Sequence, residues 1–242
     1  MQLGEWKRLI KDSDNIVFFG GAGTSTESGI PDFRSKAGLF QASGGKASPE
    51  EILSRDYFMQ HTKAFYNFYT SKMIYRDARP NAGHYALAEL ERVGRLRAII
   101  TQNIDGLHQQ AGSSNVLELH GSVHRNHCMA CQRFYSLDQM LQAAGPVPHC
   151  SVCRGIIKPD VVLYQENLDF ELLGQAASYI EQADVLIVAG TSLTVQPAAG
   201  LIRYYQGNKF VLINKGATSY DGRADFLISD SISAVLTAIV TD

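Results

Sequence analysis

Asn15-Ile16-Val17-Phe18-Phe19-Gly20-Gly21-Ala22-Gly23-Thr24-Ser25 is the stretch that decides how the rest of the chain is read. An apolar run ends at once on glycines, which reads as a strand followed by a tight turn. Residues 24–29 can then open a helix, and Pro31 breaks it. Glycines let a backbone approach a diphosphate, and a helix N-terminus adds N–H groups and a positive dipole. The spacing departs from G-x-G-x-x-G, so this stretch alone also fits a plain tight turn.

Working outward, Asp184 to Ala189 is another buried-type strand, and Gly190-Thr191-Ser192 follows it. Further apolar strands are expected at Arg97–Thr101, Val116–Leu119, Val161–Tyr164 and Phe210–Ile213. Helical spacing fits Leu3, Trp6, Leu9 and Ile10, then Leu87, Leu90 and Val93, then residues 168–182, a stretch after Pro197 and a closing segment. Continuous apolar strands alternating with helices predict a parallel sheet covered on both faces. Two glycine turns at strand ends of one sheet predict a dinucleotide lying across it. Asn214, ending a third strand, can bond a ribose hydroxyl.

Two segments do not fit that sheet. Residues 35–75 begin loose and become aromatic and helical, and residues 122–158 contain all four cysteines. They are read as two insertions that build a smaller second domain, leaving residues 1–34, 76–121 and 159–242 to the sheet domain. The fold class is therefore α/β.

Composition bounds the rest. The 242 residues are 45% hydrophobic and 19% charged with a net charge of -2, which suits a sizeable core and excludes a generally basic nucleic-acid coat. No apolar run approaches the roughly 18–20 residues of a membrane span. The opening residues, MQLGEWKRLIKDSD, have no apolar signal core, and a cytoplasmic location is expected.

Cys128-x2-Cys131 and Cys150-x2-Cys153 form C-x2-C-x18-C-x2-C. Two tight knuckles, each offering two thiolates, complete a tetrahedron that suits one zinc ion. His127 and His149 stand beside these ligands, but four thiolates already close the shell. A closed shell makes the zinc structural, not catalytic.

Thr101-Gln102-Asn103-Ile104-Asp105 packs more polar groups at a strand end than a turn requires, although Asp105 also suits an Asx-turn capping a helix at 105–112. His120 ends a strand before Gly121. It is either a satisfied structural histidine or, if it faces the crevice of Gln102, Asn103 and Asp105, a general base near neutral pH.

Together these residues resemble a family. Gly21-Ala22-Gly23-Thr24-Ser25-Thr26-Glu27-Ser28-Gly29-Ile30-Pro31-Asp32-Phe33-Arg34 is similar to the signature of the sirtuins, the NAD-dependent protein deacylases. Thr101 to Asp105, His120-Gly121, the paired cysteines, Gly190-Thr191-Ser192-Leu193 and Ile213-Asn214 match its other blocks in order. The resemblance implies a Rossmann-type NAD-binding domain with a small zinc domain. It implies transfer of the acyl group of acetyl-lysine proteins or peptides to ADP-ribose, with release of nicotinamide and O-acetyl-ADP-ribose. It places Gly21, Ala22, Thr26 and Arg34 at the phosphates and nicotinamide ribose, and Phe33 over the nicotinamide side. Gln102 and Asn103 fall at the reactive ribose, Ile104 and Asp105 at the carboxamide, and Thr191, Ser192 and Asn214 at the adenosine half. His120 is the implied base and Asn103 its catalytic companion. Val162, Tyr164 and Val195 match the acyl-lysine tunnel.

Gly20, Thr24 and Gln165 depart from the pattern, Gln165 taking the place of a usual glycine. Tyr66 and Tyr69 occupy the positions of a Tyr-x-x-Arg pair found in members that prefer acidic acyl groups, so weak desuccinylation is expected. The alternative chemistry on this scaffold is NAD hydrolysis or mono-ADP-ribosyl transfer. Direct nucleic-acid binding is not expected, because residues 122–158 carry only Arg125, Arg133, Arg154 and Lys158 as fixed positive charges.

Overall fold

The computed structural model describes residues 3–33, 38 and 47–240. Arg34 and most of the loose start read after it lie outside the described residues.

The chain opens with α1 (Leu3–Lys11), β1 (Ile16–Gly20) and a 3-10 turn over Ala22–Ser28. The first insertion supplies α2 (Pro49–Ile52), α3 (Arg55–Gln60) and α4 (Thr62–Lys72). Then come α5 (Ala82–Arg92), β2 (Leu96–Thr101), α6 (Leu107–Gln110), β3 (Val116–Glu118), β4 (Gly121–Cys128), β5 (Phe134–Ser136), α7 (Leu137–Leu141) and β6 (Ile157–Val161). The last part holds α8 (Phe170–Gln182), β7 (Val185–Ala189), a 3-10 segment at Ala198–Tyr204, β8 (Phe210–Ile213), β9 (Phe226–Ile228) and α9 (Ile232–Thr237).

β1, β2, β3, β7, β8 and β9 form one parallel sheet in the order β3-β2-β1-β7-β8-β9. In chain order of its strands this is 3-2-1-4-5-6, the doubly wound dinucleotide-binding order, so the strand order reverses between β1 and β7. Strand residues alternate between two cores. Val17, Phe19, Ile100, Leu186, Val188 and Leu212 pack under α8 and the 198–204 segment. Ile16, Phe18, Ile99, Val185, Ile187 and Val211 pack under α1, α5 and α9. That period of two on wholly apolar strands is what a sheet buried on both faces requires.

A third core gathers Leu53, Phe58, Phe65, Tyr66 and Tyr69 from the first insertion with Val123, Tyr135, Met140, Ile157, Val161 and Leu163. Its backbone is the antiparallel sheet β5-β4-β6. The strand expected over 161–164 is shifted: it runs Ile157–Val161 and pairs with β4, so residues 159–161 lie in the small sheet. Pro159 hid this, since a proline normally argues against a paired strand. It faces Asn126, where the β4–β6 register shifts.

Other expected helices are shorter or tighter. The 24–29 helix is the 3-10 turn at Ala22–Ser28, whose run of Gly, Thr and Ser offers no apolar stripe to pack. The stretch after Pro197 is likewise 3-10, and the 105–112 helix is reduced to α6. β9 precedes the closing helix and was not foreseen.

Candidate functional site

The two glycine turns meet backbone to backbone at the carboxyl edge of β1 and β7. Gly21 N–H donates to the Ala189 carbonyl at 3.1 Å, and Gly23 N–H to the Gly190 carbonyl at 2.8 Å. A Cβ on Gly21 would stand 2.7 Å from Thr191 Cβ, and one on Gly23 2.6 Å from Gly190 Cα. The turn therefore has no room for side chains on its inner side, and a ligand on its outer side meets bare backbone. Three of its N–H groups, on Gly21, Gly23 and Thr24, are spent internally. The turn therefore offers close backbone approach and hydroxyls more than the dipole of an α-helix.

β2, beside β1, delivers the polar cluster to the same edge. The Asn103 amide donates to Thr24 Oγ1 and Ser25 Oγ, both at 3.0 Å. Ser25 Oγ donates to Asp105 Oδ2 at 2.7 Å, and Asp105 Oδ1 accepts from Leu107 N–H at 2.9 Å. The Asx-turn and the cluster are thus one arrangement. Gln102 Nε2 reaches Thr191 Oγ1 at 3.0 Å, a separate bond from the end of β2 to the turn after β7. Asn103 itself is buried.

His120 stands between β3 and β4, with Nδ1 3.0 Å from the Gln102 carbonyl. A carbonyl only accepts, so Nδ1 carries the proton and Nε2 keeps its lone pair. Burial lowers the imidazole pKa from its usual 6.5, partly offset by that same hydrogen bond. The ring is therefore neutral at pH 7 and able to take a proton. Its carbonyl accepts from Val162 N–H at 3.0 Å, which ties the segment after β6 to the histidine.

The remaining expected residues are less tightly joined. Thr26 is exposed and its hydroxyl donates to the Gly23 carbonyl. Ala22 is half-buried in the turn. Phe33 and Ile104 are half-buried against the third core, so the cofactor edge and the small unit share packing. Ser192 lies 2.9 Å from Thr194 Oγ1, and Asn214 donates to the Gly216 carbonyl at 2.7 Å. Val195 is half-buried beyond the Gly190 turn. Tyr164 is 39% exposed. Tyr66 is not brought to the crevice. It is buried with Phe58, Phe65 and Tyr69, its hydroxyl donates to the Ile157 carbonyl, and burial raises its pKa far above 10.

Asn81 escaped the sequence reading. Its amide donates to the Thr24 carbonyl at 2.8 Å and Ser28 Oγ at 3.0 Å. Its Oδ1 accepts from Gly83 N–H and Ser233 Oγ, both close to 3 Å. The 3-10 turn thereby hangs on the cap of α5, and the sequence signal was that cap itself: Asn81 after Pro80, with His84 at N3 completing a capping box. Gly121, which follows His120, is fixed by packing. With φ of 78° and a notional Cβ 1.7 Å from the Asp160 carbonyl, it lets β6 pass directly behind His120.

At the far end of β4 the four cysteine sulfurs lie within 4.8 Å of one another. The Cys128–Cys153 and Cys131–Cys150 separations are 3.4 and 3.7 Å. Tetrahedral thiolates about 2.3 Å from a zinc ion sit roughly 3.8 Å apart, so the set fits that ion. The Tyr135 hydroxyl donates to Cys150 Sγ at 3.1 Å and, as the main cause, pulls that thiol down to about 5. His127 pairs with Asp160 at 2.8 Å and His149 with the Arg154 carbonyl at 2.9 Å, leaving the thiolates as the ligands. β4 runs from Gly121, next to His120, to Cys128. β6 covers the same pairings in only five residues, Val161 to Ile157, so at about 3.3 Å per residue Cys128 lies roughly 13 Å along the sheet from Gly121.

Fold and site together define a dinucleotide-binding α/β protein with a four-thiolate metal module and a neutral histidine at its crevice. Residues 21–197 match the Sir2 family, and the chain belongs to it. It is 59% identical to an NAD-dependent protein deacetylase of Clostridium tetani, over 98% of this chain and 96% of that one. A solved Sir2 complex with a deacetylated p53 peptide and 3'-O-acetyl ADP-ribose superposes with a TM-score of 0.91 at 35% identity, covering 99% of this chain and 98% of that chain. A Sir2 complex with a p53 peptide and NAD+ gives a TM-score of 0.87 at 35% identity over the same shares. Among the described residues no helix is long and apolar enough to cross a membrane.

Proposed function

We propose that this chain is an NAD-dependent protein lysine deacetylase that uses its sheet edge for NAD and the seam beside the small unit for acetyl-lysine. The observation that carries the reading is the hydrogen-bonded cluster of Ser25, Gln102, Asn103, Asp105 and Thr191, set at the reversal of the sheet with His120 beside it. The 59% identity to a named deacetylase supports it.

In this reading Gly21, Ala22, Thr26 and Arg34 attend the phosphates and nicotinamide ribose. Asn103 and Gln102 orient the reactive ribose, Ile104 and Asp105 hold the carboxamide, and Phe33 shields that side from water. Thr191, Ser192 and Asn214 hold the adenosine half. Val162, Tyr164 and Val195 border the acyl-lysine, whose peptide lies extended and is bound through its backbone. Departure of nicotinamide builds positive charge at the anomeric carbon, where a dry, oriented crevice is more useful than an acid. The acyl oxygen attacks that carbon, and His120 Nε2 accepts the proton of a ribose hydroxyl. The deprotonated hydroxyl then attacks the acyl carbon, and one water molecule adds there as the carbon–nitrogen bond to lysine breaks, so that the products are nicotinamide, free lysine and O-acetyl-ADP-ribose. The four cysteines would hold zinc, which would supply folding energy to the small unit and, with its shell closed by four thiolates, no chemistry.

A thiol set kept for metal suits a reducing compartment, and we place the activity in the cytoplasm. Of the four cations in residues 122–158, Arg125 pairs with Glu118 and Lys158 with Glu166, which supports protein rather than nucleic-acid partners.

The test is incubation with an acetyl-lysine peptide and NAD together, and with each alone, followed by mass spectrometry. Nicotinamide, deacetylated peptide and acetylated ADP-ribose appearing only with both substrates is the expected result. Nicotinamide released from NAD alone at an undiminished rate would replace this reading with NAD hydrolysis or ADP-ribosyl transfer.

A further inference from the structure

Gln165 has φ of 74°, a left-handed backbone that residues with side chains rarely adopt. Its side chain makes a two-point contact with a residue 109 positions away. Gln165 Oε1 accepts from the Asp56 backbone N–H at 3.0 Å, and Gln165 Nε2 donates to Asp56 Oδ2 at 3.2 Å.

Asp56 is the second residue of α3, where backbone N–H groups have no partner within the helix. Here each finds one. Arg55 N–H donates to the Tyr164 carbonyl at 2.9 Å, Asp56 N–H to Gln165, and Tyr57 N–H to Ser54 Oγ at 3.2 Å. Tyr164 N–H in turn donates to the Leu53 carbonyl at 3.0 Å. The start of α3 is thus capped largely by residues 164 and 165.

The other flank of this segment is anchored separately. Glu166 accepts from Leu163 N–H at 2.9 Å and from Lys158 Nζ at 3.1 Å, and Val162 N–H holds the His120 carbonyl. Breaking the Gln165 contact therefore removes the side-chain tie that holds residue 165 against α3, while Tyr164 keeps its two backbone bonds and the segment stays on the small sheet.

We infer that the Gln165–Asp56 pair is a positioning latch for the acyl-lysine peptide. It fixes the edge formed by Val162 to Tyr164, between His120 and the helical insertion, before the peptide arrives. An extended peptide bound through its backbone needs that edge in place, and a segment that is ordered only part of the time weakens binding by its ordered fraction. Neither side chain contacts the reacting atoms, so the latch acts on peptide affinity and not on the chemical step. The inference rests on the deacetylase reading above.

Three variants test it, with KM for an acetyl-lysine peptide, KM for NAD and kcat measured on each. Q165G keeps the left-handed backbone and removes the latch. Its peptide KM is expected to rise about fivefold, the loss of about one net hydrogen bond, with kcat and NAD KM near wild type. Q165E sets a carboxylate against Asp56 and is expected to raise peptide KM further. Q165E combined with D56N exchanges donor and acceptor and is expected to return peptide KM to near wild type. Circular dichroism on each variant separates loss of fold from loss of the latch. Unchanged peptide KM in Q165G, or no recovery in the double variant, overturns the latch. Wild-type protein that turns over no acetyl-lysine peptide overturns the deacetylase reading instead.

Discussion

Gly23→Ala is the sharpest probe of how the cofactor edge is built. The new methyl would sit 2.6 Å from Gly190 Cα, 2.9 Å from the Gly190 carbonyl oxygen and 3.1 Å from its carbon. Ordinary contact needs about 3.4 Å or more, so the two turns must separate by close to 1 Å. All three neighbours are backbone, and Gly190 is pinned from behind by its N–H bond to the Ile213 carbonyl at 3.1 Å. Overpacking of this kind costs about 1–3 kcal/mol of stability. The larger effect falls on function, because a 1 Å misplacement near reacting groups can cost about a hundredfold in rate. Urea unfolding and steady-state kinetics with varied NAD would read both. Gly29→Ala is the matched control. Its φ of 83° is a backbone demand that Gly23 does not share, but nothing lies within 4 Å of its notional Cβ. It should cost about 1 kcal/mol of backbone strain and leave NAD KM alone. The reasoning fails if Gly23→Ala keeps wild-type NAD kinetics and a stability within about 0.5 kcal/mol.

Further predictions follow from the histidines, the thiols and the insertion. His120→Ala should lower kcat about 10²–10⁴-fold while NAD binding stays measurable by calorimetry, and unchanged turnover would remove it as the base. Because burial lowers the His120 pKa, the acid limb of wild-type kcat/KM should fall below pH 6.5, and a limb above that value would contradict its setting. His108, buried against His84 with no partner for either ring nitrogen, is lowered to about 3 chiefly by desolvation. The unfolded chain takes up that proton near pH 6.5. Stability should therefore be full above about pH 6.5 and fall by up to about 1.4 kcal/mol per unit toward pH 3, a slope that His108→Leu flattens in urea titrations. Stripping zinc with a chelator should abolish activity and the structure of the small unit together, both returning with added zinc, whereas a metal-free protein of full activity would refute a role in the fold. Succinyl-lysine should be processed far more slowly than acetyl-lysine, since Tyr66 and Tyr69 are buried and offer no guanidinium; equal rates would sink that expectation.

What was legible in the sequence followed the strength of the physical signal. Strands β1, β7 and β8 are unbroken apolar runs, because both their faces are buried. The cysteine knuckles are legible because coordination geometry dictates their spacing. β9 was missed because it is a three-residue edge strand with Leu227 half in solvent, too short for any period to emerge. β6 was misplaced by Pro159, which sits where the ladder slips. Asn81 and Gln165 were illegible as site components because their roles lie in partners far away in sequence: Asn81 with Thr24, and Gln165 with Asp56. No local pattern encodes such pairs.

The cluster at the sheet edge also explains why so many polar residues stand at one strand end. Asn103 pairs with Ser25, Ser25 with Asp105 and Gln102 with Thr191, which in the proposed reading leaves none of them buried and unpaired in a site that must be dry to work. On that reading a ligand that displaces these bonds without offering donors and acceptors of its own would leave the cluster unpaired. The same bonds hold the side chains in place beforehand, so little reorganisation is needed when charge develops nearby. β4 and β6 extend that logic beyond the crevice. They leave the cysteine cluster paired as Cys128 with Ile157 and reach the site where Gly121 pairs with Val161, either side of the His120 carbonyl bond to Val162. In the proposed reading, an ion whose shell the four thiolates close would thus anchor the two strands that place the base.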